Sequence, residues 1–313
     1  MAGRVLVTGA SGFVGSALCE RLLKKKWLVT SVSRTLKTPE SVAVGEIGPA
    51  TDWAFALRQA EVVVHCAARA HIMSDKAADP LAEFRTVNVQ GTLHLARQSV
   101  VAGVKRFVYL SSIGVNGVQT TAGQVFSEVD VPCPHNAYAL SKLEAEQGLR
   151  LIASETGLEL VIIRPPLVYG YGAPGNFASL LRAVHRGWPL PFGSVHNQRS
   201  LVALDNLVDF IILCINHPQA TSQTFLVSDG HDLSTADLLR GLARAAGISS
   251  RLIPVPVWAL HAGADLLGQG DVMQRLCGNL QVDISKARSL LGWTPPVSVE
   301  EGFRRAIFNS KNP

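Results

Sequence analysis

The chain of 313 residues is poor in charge and in cysteine. Only 17% of its residues are charged, against 47% hydrophobic, which excludes a disordered chain. Its five cysteines, Cys19, Cys66, Cys133, Cys214 and Cys277, lie far apart, and five is an odd number. No zinc-type spacing links them, so they read as reduced, mostly buried thiols of a cytosolic protein. Long apolar runs are missing too. The longest, Phe210-Ile211-Ile212-Leu213-Cys214-Ile215, is far too short to span a membrane. A strand pattern already begins at residue 3, which argues against a signal peptide. The nine histidines form no metal-type cluster. Glycine (27) and proline (16) are near ordinary usage, so fibrous and low-complexity classes fall away.

What is present is a mildly basic globular chain of net charge +5. Its densest basic run, Lys24-Lys25-Lys26, reads as a solvated helix end rather than a nucleic-acid arm. A small positive excess suits an anionic ligand such as a phosphate ester. The length suggests two domains or one large α/β unit.

Short apolar runs alternate with helical periodicities. Arg4–Val7, Leu28–Val32, Val62–Val64, Phe107–Leu110 and Leu160–Ile163 predict strands. Residues 13–25, 80–102 and 136–156 predict helices. This alternation implies a doubly wound parallel α/β sheet. The texture changes after about residue 165, where Pro165, Pro166, Gly170, Gly172, Pro174 and Gly175 concentrate. We expect a dinucleotide-binding domain over 1–168, with a return near 200–228. A smaller mixed α/β C-terminal lobe over 169–313 would bind the substrate.

Gly9-Ala10-Ser11-Gly12-Phe13-Val14-Gly15 follows the first strand and opens a helix. Gly9 permits the tight turn, Gly12 lets a pyrophosphate approach the backbone, and Gly15 allows close helix–strand packing. The helix N-terminus then offers free N–H groups to an anion. The second strand ends Ser31-Val32-Ser33-Arg34 and carries no carboxylate for a ribose hydroxyl. Arg34 suits a 2′-phosphate, so NADP(H) is favoured and NAD(H) is the alternative.

Tyr138 and Lys142 stand one helical turn apart, following Ser112 at the end of a strand. A lysine cation lowers a neighbouring tyrosine's pKa. Tyr138 could then exchange a proton with an alcohol oxygen that the Ser112 hydroxyl polarises.

Together these residues resemble the extended short-chain dehydrogenases/reductases, the NAD-dependent epimerase/dehydratase family, and its nucleotide-sugar branch in particular. The glycine spacing is that branch's G-x-x-G-x-x-G. His65-Cys66-Ala67-Ala68 resembles its H-x-A-A segment, with Ala67 and Ala68 lining the cofactor. His65 and His71 flank that turn and read as structural. Asn88-Val89-Gln90-Gly91-Thr92 resembles N-V-x-G-T, whose asparagine holds the helix and the active-site water. Ser111 to Gly117 matches S-S-x-x-V-Y-G with Asn116 in place of the tyrosine. The match gives Ser112 the catalytic role and lays Ser111 against the cofactor. Arg164 to Gly170 resembles R-P-x-x-V-Y-G, which places Pro165 at the cofactor.

In the second lobe, Asn176 and the amide of Phe177 would bind the nucleotide diphosphate, and Arg199 would clamp a phosphate. Phe192 and Arg275 complete the expected substrate contacts. Leu280 falls near the gate residue of epimerases, where it could leave room for an N-acetyl group or be a plain core leucine. The stretch from Val282 to Pro295 resembles a structural carboxy-terminal segment. The resemblance also implies a cytoplasmic homodimer, built from helices 80–102 and 136–156, that contacts neither nucleic acid nor membrane.

Ile113-Gly114 follows Ser112 where dehydratases carry Asp-Glu, which argues against dehydration and weakens decarboxylation. Hydride transfer at carbon 4 of a UDP-sugar remains. The whole-chain pattern looks most like bacterial surface-polysaccharide enzymes that reduce UDP-4-keto-6-deoxy-N-acetylglucosamine to UDP-N-acetylquinovosamine. These are often labelled UDP-glucose 4-epimerases, and a UDP-hexose 4-epimerase with retained NAD is the alternative. A steroid- or flavonoid-type reductase and a non-catalytic NADP-binding sensor or scaffold are further readings.

Overall fold

The computed structural model describes residues 3–36, 41–70 and 79–308. The first strand, β1 (Arg4–Thr8), leads into α1 (Phe13–Lys24), β2 (Leu28–Ser33) and β3 (Val42–Ala43). Next come β4 (Val62–His65), α2 (Pro80–Phe84), α3 (Thr92–Val101), β5 (Arg106–Leu110), α4 (Ala137–Thr156) and β6 (Glu159–Arg164). The remaining chain forms β7 (Leu167–Tyr169), α5 (Asn176–His185), β8 (Leu201–Ala203), α6 (Leu204–Asn216) and β9 (Gln223–Leu226). It closes with α7 (Thr235–Ala245), α8 (Val257–Leu266), α9 (Gly270–Cys277), α10 (Ser285–Leu291) and α11 (Val299–Ile307).

Seven strands form one parallel sheet in the order β3-β2-β1-β4-β5-β6-β9. The central strands are runs of valine, isoleucine and leucine because both of their faces are covered. One face packs α1, α6 and α10 around Val5, Val7, Val64, Val108 and Val161. The other packs α3 and α4 around Leu6, Val63, Phe107 and Ile162, with Trp53 and Leu57 closing its edge. Strand order reverses between β1 and β4. The crevice at their carboxyl ends is where a doubly wound sheet binds its ligand.

Residues 80–102 form a helix that is not regular. Between α2 and α3 the segment Arg85–Gly91 widens to a π-helix. Helical periodicity carries no mark of such a widening. Strand β3 also went unanticipated, because two residues have no period. Asn136 caps α4 by accepting from the Ala139 amide (2.8 Å), and Gly157 stops it in the left-handed conformation that favours glycine.

After β6 the chain builds a second core from Tyr169, Phe177, Phe192, Leu239 and Phe303. It returns to the main sheet through α6, β9 and α10. Strands β7 and β8 pair separately, parallel. The cysteines are all free, but the expectation that most are buried is corrected. Cys19 and Cys214 are buried, Cys66 and Cys277 half-buried, and Cys133 exposed. Cys133 lies on a loop with no apolar neighbour pattern to enclose it. No helix among the described residues is long and apolar enough to cross a membrane.

Candidate active site

The glycine loop joins β1 to α1 at the strand-order reversal. Gly9 has φ +67°, and a side chain there would strike the Ala67 backbone at 2.8 Å. A side chain at Gly15 would strike the Gly9 carbonyl. Both positions therefore require glycine. Ser11 and Gly12 are exposed at the mouth of the crevice. The N-terminus of α1 has no side-chain cap and no acidic residue in its first turn. Its N–H groups and dipole suit a pyrophosphate, so this loop fits a dinucleotide. Phe13 and Val14 turn their side chains into the two cores and leave only backbone for a ligand.

His65, at the end of β4, fixes the opposite lip. Its Nδ1 lies 2.7 Å from Thr8 Oγ1 and its Nε2 2.9 Å from Thr92 Oγ1. Thr8 Oγ1 also accepts from the Ala67 amide at 3.2 Å, which draws the Ala67-Ala68 turn against Gly9. Burial brings the pKa of His65 down to about 3, so the ring is neutral. His71 lies outside the described residues.

Asn88 sits in the π segment and is buried. It accepts from the Arg69 amide at 2.8 Å and donates to the Arg69 carbonyl at 3.1 Å. It also donates to Ser141 Oγ at 3.0 Å. Ser141 in turn donates to the Tyr138 carbonyl at 2.7 Å. One amide thus ties the cofactor-side turn to the helix carrying Tyr138. A π-widening next to a functional group is a common placement.

Lys142 is 2% exposed. Its ammonium donates to the Leu110 carbonyl at 2.6 Å and lies 4.2 Å from the centre of the Tyr109 ring. Tyr138 is half-buried and sits edge-on to Phe84 at 6.1 Å. The expectation that Lys142 lowers the pKa of Tyr138 is corrected for this ligand-free geometry. Burial dominates at both groups, raising Tyr138 to about 12 and bringing Lys142 down to about 7.

Ser112 ends β5 and caps the single turn Ile113–Val115, its hydroxyl accepting from the Gly114 amide at 3.1 Å. Ser111 is buried, and its hydroxyl donates to Glu146 at 2.5 Å. Pro165 is buried, and its carbonyl accepts from the Ile113 amide at 3.0 Å, which locks β6 to the Ser112 turn.

Arg34 also departs from expectation. It is 71% exposed, and its guanidinium lies 3.2 Å from Glu46, which follows β3. Sequence reasoning missed this partner because β3 brings it in from beyond the strand.

The second lobe brings Arg199 and Arg275 together. Arg199 donates to the Gly278 carbonyl at 2.9 Å. Burial, then the like charge of Arg275, pulls its pKa down to about 10. Among the described residues neither arginine pairs with a carboxylate. A guanidinium's fork of donors suits a phosphate or carboxylate. Asn176 opens α5 and is half-buried. Phe177 and Phe192 lie in the second core, so their side chains serve packing and only their backbone could meet a substrate. Leu280 belongs to the main core, which answers the alternative posed for it. No group of three or more His, Cys, Asp or Glu among the described residues could hold a metal.

A parallel sheet with a glycine loop at its reversal, and a Tyr–Lys helix beside it, defines a Rossmann-like dinucleotide enzyme of the short-chain dehydrogenase/reductase type. The family model "NAD dependent epimerase/dehydratase family" matches residues 5–228. The chain belongs to that family. It is 48% identical over 306 residues to a UDP-glucose 4-epimerase of Vibrio cholerae, covering 96% of this chain and 93% of that one. The solved structure of MoeE5 in complex with UDP-glucuronic acid and NAD superposes with a TM-score of 0.78 at 26% identity, covering 97% and 98% of the two chains. A Thermotoga maritima UDP-glucose 4-epimerase solved with UDP-glucose shares the fold, with a TM-score of 0.77 at 24% identity over 97% of each chain.

Proposed function

We propose that the protein interconverts UDP-hexoses at carbon 4, with NAD(H) retained through the cycle. The observation that carries this reading is the Tyr138–Lys142 pair on α4, set beside Ser112 and the glycine loop. The relative named UDP-glucose 4-epimerase, similar along nearly its whole length, supports the same reaction.

Gly9, Ser11, Gly12 and the first amides of α1 would hold the cofactor's pyrophosphate, with Ala67, Ala68, Asn88 and Pro165 around it. When bound, the nicotinamide supplies a hydride acceptor and donor. Tyr138 would take up the proton of the carbon 4 hydroxyl and later return it to the same oxygen. The Ser112 hydroxyl donates to the same oxygen, and Lys142 supplies the positive charge that favours phenolate. Arg199 and Arg275 meet the diphosphate of UDP, with Asn176 and the Phe177 amide at the end of α5. Phe192 would support the pocket by packing in the second core.

Ile113 and Gly114 support this chemistry over dehydration. Ile113 is buried, and a side chain at Gly114 would meet Ala139 at 3.3 Å and the Ser112 hydroxyl at 3.4 Å. There is little room for the acid pair that expels a hydroxyl. NAD, rather than the NADP(H) expected from sequence, is favoured by the family and by the structural neighbours solved with NAD; Arg34 lies beside the carboxylate of Glu46.

One observation keeps a second reading. No carboxylate ends β2, as it often does where NAD is retained, and this fits a reductase of a UDP-4-keto-6-deoxy-N-acetylhexosamine with exchangeable cofactor. A desalting experiment separates the two. Cofactor carried through the column, with UDP-glucose and UDP-galactose interconverted and no net change at 340 nm, supports the epimerase. Stoichiometric loss of added NADH or NADPH with the keto sugar refutes it.

A further inference from the structure

Beneath the Ser112–Tyr138–Lys142 group lies a buried ionic cluster that the reaction above does not use. Glu146 is the next residue down the α4 face that carries Tyr138 and Lys142, each four residues apart. Its carboxylate is 1% exposed. It receives the Ser111 hydroxyl at 2.5 Å and two donors of Arg164, Nε at 2.9 Å and Nη2 at 2.5 Å. The third Arg164 nitrogen, Nη1, donates to Asn116 Oδ1 at 2.9 Å, and Asn116 donates to the Ser127 carbonyl at 2.8 Å. The segment after β5 and the end of β6 therefore meet on one carboxylate of α4, and Asn116 braces the arginine from behind.

A buried ion pair is weak evidence of stability, since its desolvation cost rivals its attraction. The placement of this pair suggests another use. Several titratable groups surround Lys142. His65 and Cys66 act on it from the end of β4 and the turn after it, the Tyr109 ring lies against it from β5, and Tyr138 stands one turn before it on α4. Arg164, from β6, pairs with Glu146. Arg150, half-exposed on α4, reaches Glu146 at 3.9 Å. His65 is neutral, and burial holds Cys66 as a thiol with its pKa up to about 12. Both tyrosines are pushed upward and stay neutral. Glu146 is thus the carboxylate acting on Lys142, and it is the strongest influence opposing the burial that pulls the ammonium toward neutrality.

We propose that Glu146 is a positioning residue for the reaction. Fixed by Ser111 and by the Arg164–Asn116 bracket, its buried carboxylate keeps Lys142 charged beside Tyr138. This rests on the epimerase reading for its catalytic consequence, but the charge state of Lys142 can be read without any substrate.

The test is a pH titration of the full-length protein labelled with ¹³Cε-lysine, in which the Lys142 signal is identified by its loss in Lys142→Met. In Glu146→Gln we expect the Lys142 midpoint to fall by about one pH unit or more, a tenfold change in the protonation equilibrium. The alkaline limb of kcat/KM should move down with it, while KM and the rate on the acid side stay near wild type. Glu146→Asp should recover most of the shift. A midpoint unchanged to within about 0.3 unit, with loss of rate uniform across pH, would assign Glu146 to structure alone and overturn the proposal. Should Glu146→Gln not fold, the double variant Glu146→Gln with Arg164→Gln, which leaves no unpaired buried charge, is read against Arg164→Gln alone: a lower Lys142 midpoint in the double variant supports the proposal, and equal midpoints overturn it. A wild type that titrates as described but does not interconvert UDP-hexoses refutes the epimerase reading and leaves the Glu146 result standing.

Discussion

Asn88 Nδ2 donates to Ser141 Oγ across 3.0 Å, and this bond joins the π segment to the catalytic helix. The same side chain serves both backbone groups of Arg69. Asn88→Ala leaves the Arg69 amide, its carbonyl and the Ser141 hydroxyl without that partner. Each unsatisfied buried group costs about 1–3 kcal/mol, less where water enters. We expect a loss of about 2–4 kcal/mol in urea unfolding, with kcat falling more than KM rises because α4 loses its anchor. Asn88→Ala with wild-type stability would show that water replaces the amide there.

Lys142 is expensive to the fold and is assigned a part in the proposed reaction. Its folded pKa, about 7, lies below its ordinary value. Above the unfolded pKa the group costs nothing. As pH falls toward 7 the unfolded chain takes up the proton first and stability declines. Lys142→Met should therefore stabilise the protein at pH 7 by on the order of 1–3 kcal/mol, after the lost bond to the Leu110 carbonyl is counted. It should also cut the turnover by about 10²–10⁴-fold. A variant that is both inactive and less stable would contradict this balance.

His65 gives a pH dependence of the same sign in a lower window. It is 1% exposed and held neutral between Thr8 and Thr92. Its folded pKa, about 3, lies below the ordinary value of 6.5. Its contribution is complete above pH 6.5 and is lost as pH falls toward 3. The loss approaches about 1.4 kcal/mol per pH unit, or about 2 kcal/mol between pH 6.5 and 5. Chemical unfolding of wild type and His65→Gln at both pH values isolates this share, because the carboxylates contribute equally to the two proteins. Parallel stability curves would mean that the ring titrates normally.

The difference between these groups in legibility has a physical cause. Gly9, Gly12 and Gly15 follow one strand at fixed offsets, and Tyr138 and Lys142 stand one turn apart, so local spacing alone exposes them. Glu146 was equally visible as the next turn of that face, but its meaning comes from Ser111 and Arg164, which arrive from β5 and β6. Arg34 was read as free for a phosphate because Glu46 reaches it only through β3, a strand of two residues with no periodicity. The π segment hides for a similar reason. Its widening adds a residue to the turn without changing the composition around Asn88. The parallel sheet was plain, since buried strands declare themselves as continuous runs of valine and isoleucine.

Arg199 and Arg275 give the prediction that bears most directly on the substrate. Arg199 is partly buried and repelled by Arg275, and it donates to the Gly278 carbonyl. In the free protein this arrangement is a cost, since the half-buried Arg199 feels the like charge of the exposed Arg275 with no acid paired to it among the described residues. Binding a diphosphate relieves it, so the affinity contributed by each arginine includes the repulsion removed. Arg199→Ala should raise the KM for a UDP-hexose by about 10- to 100-fold, equivalent to about 1–3 kcal/mol for charge-assisted bonds. Arg275→Ala should raise it less, because it removes the weaker contact and also relaxes Arg199. Its thermal stability should equal or exceed that of wild type. The double variant should lose less than the sum of the singles, since the repulsion is counted once in each. Increasing salt should weaken UDP binding in wild type and do so less in either variant. Steady-state kinetics and calorimetry with UDP alone read all four quantities. A KM unmoved by Arg199→Ala removes the pair from the site and returns Arg199 to its structural bond with the Gly278 carbonyl.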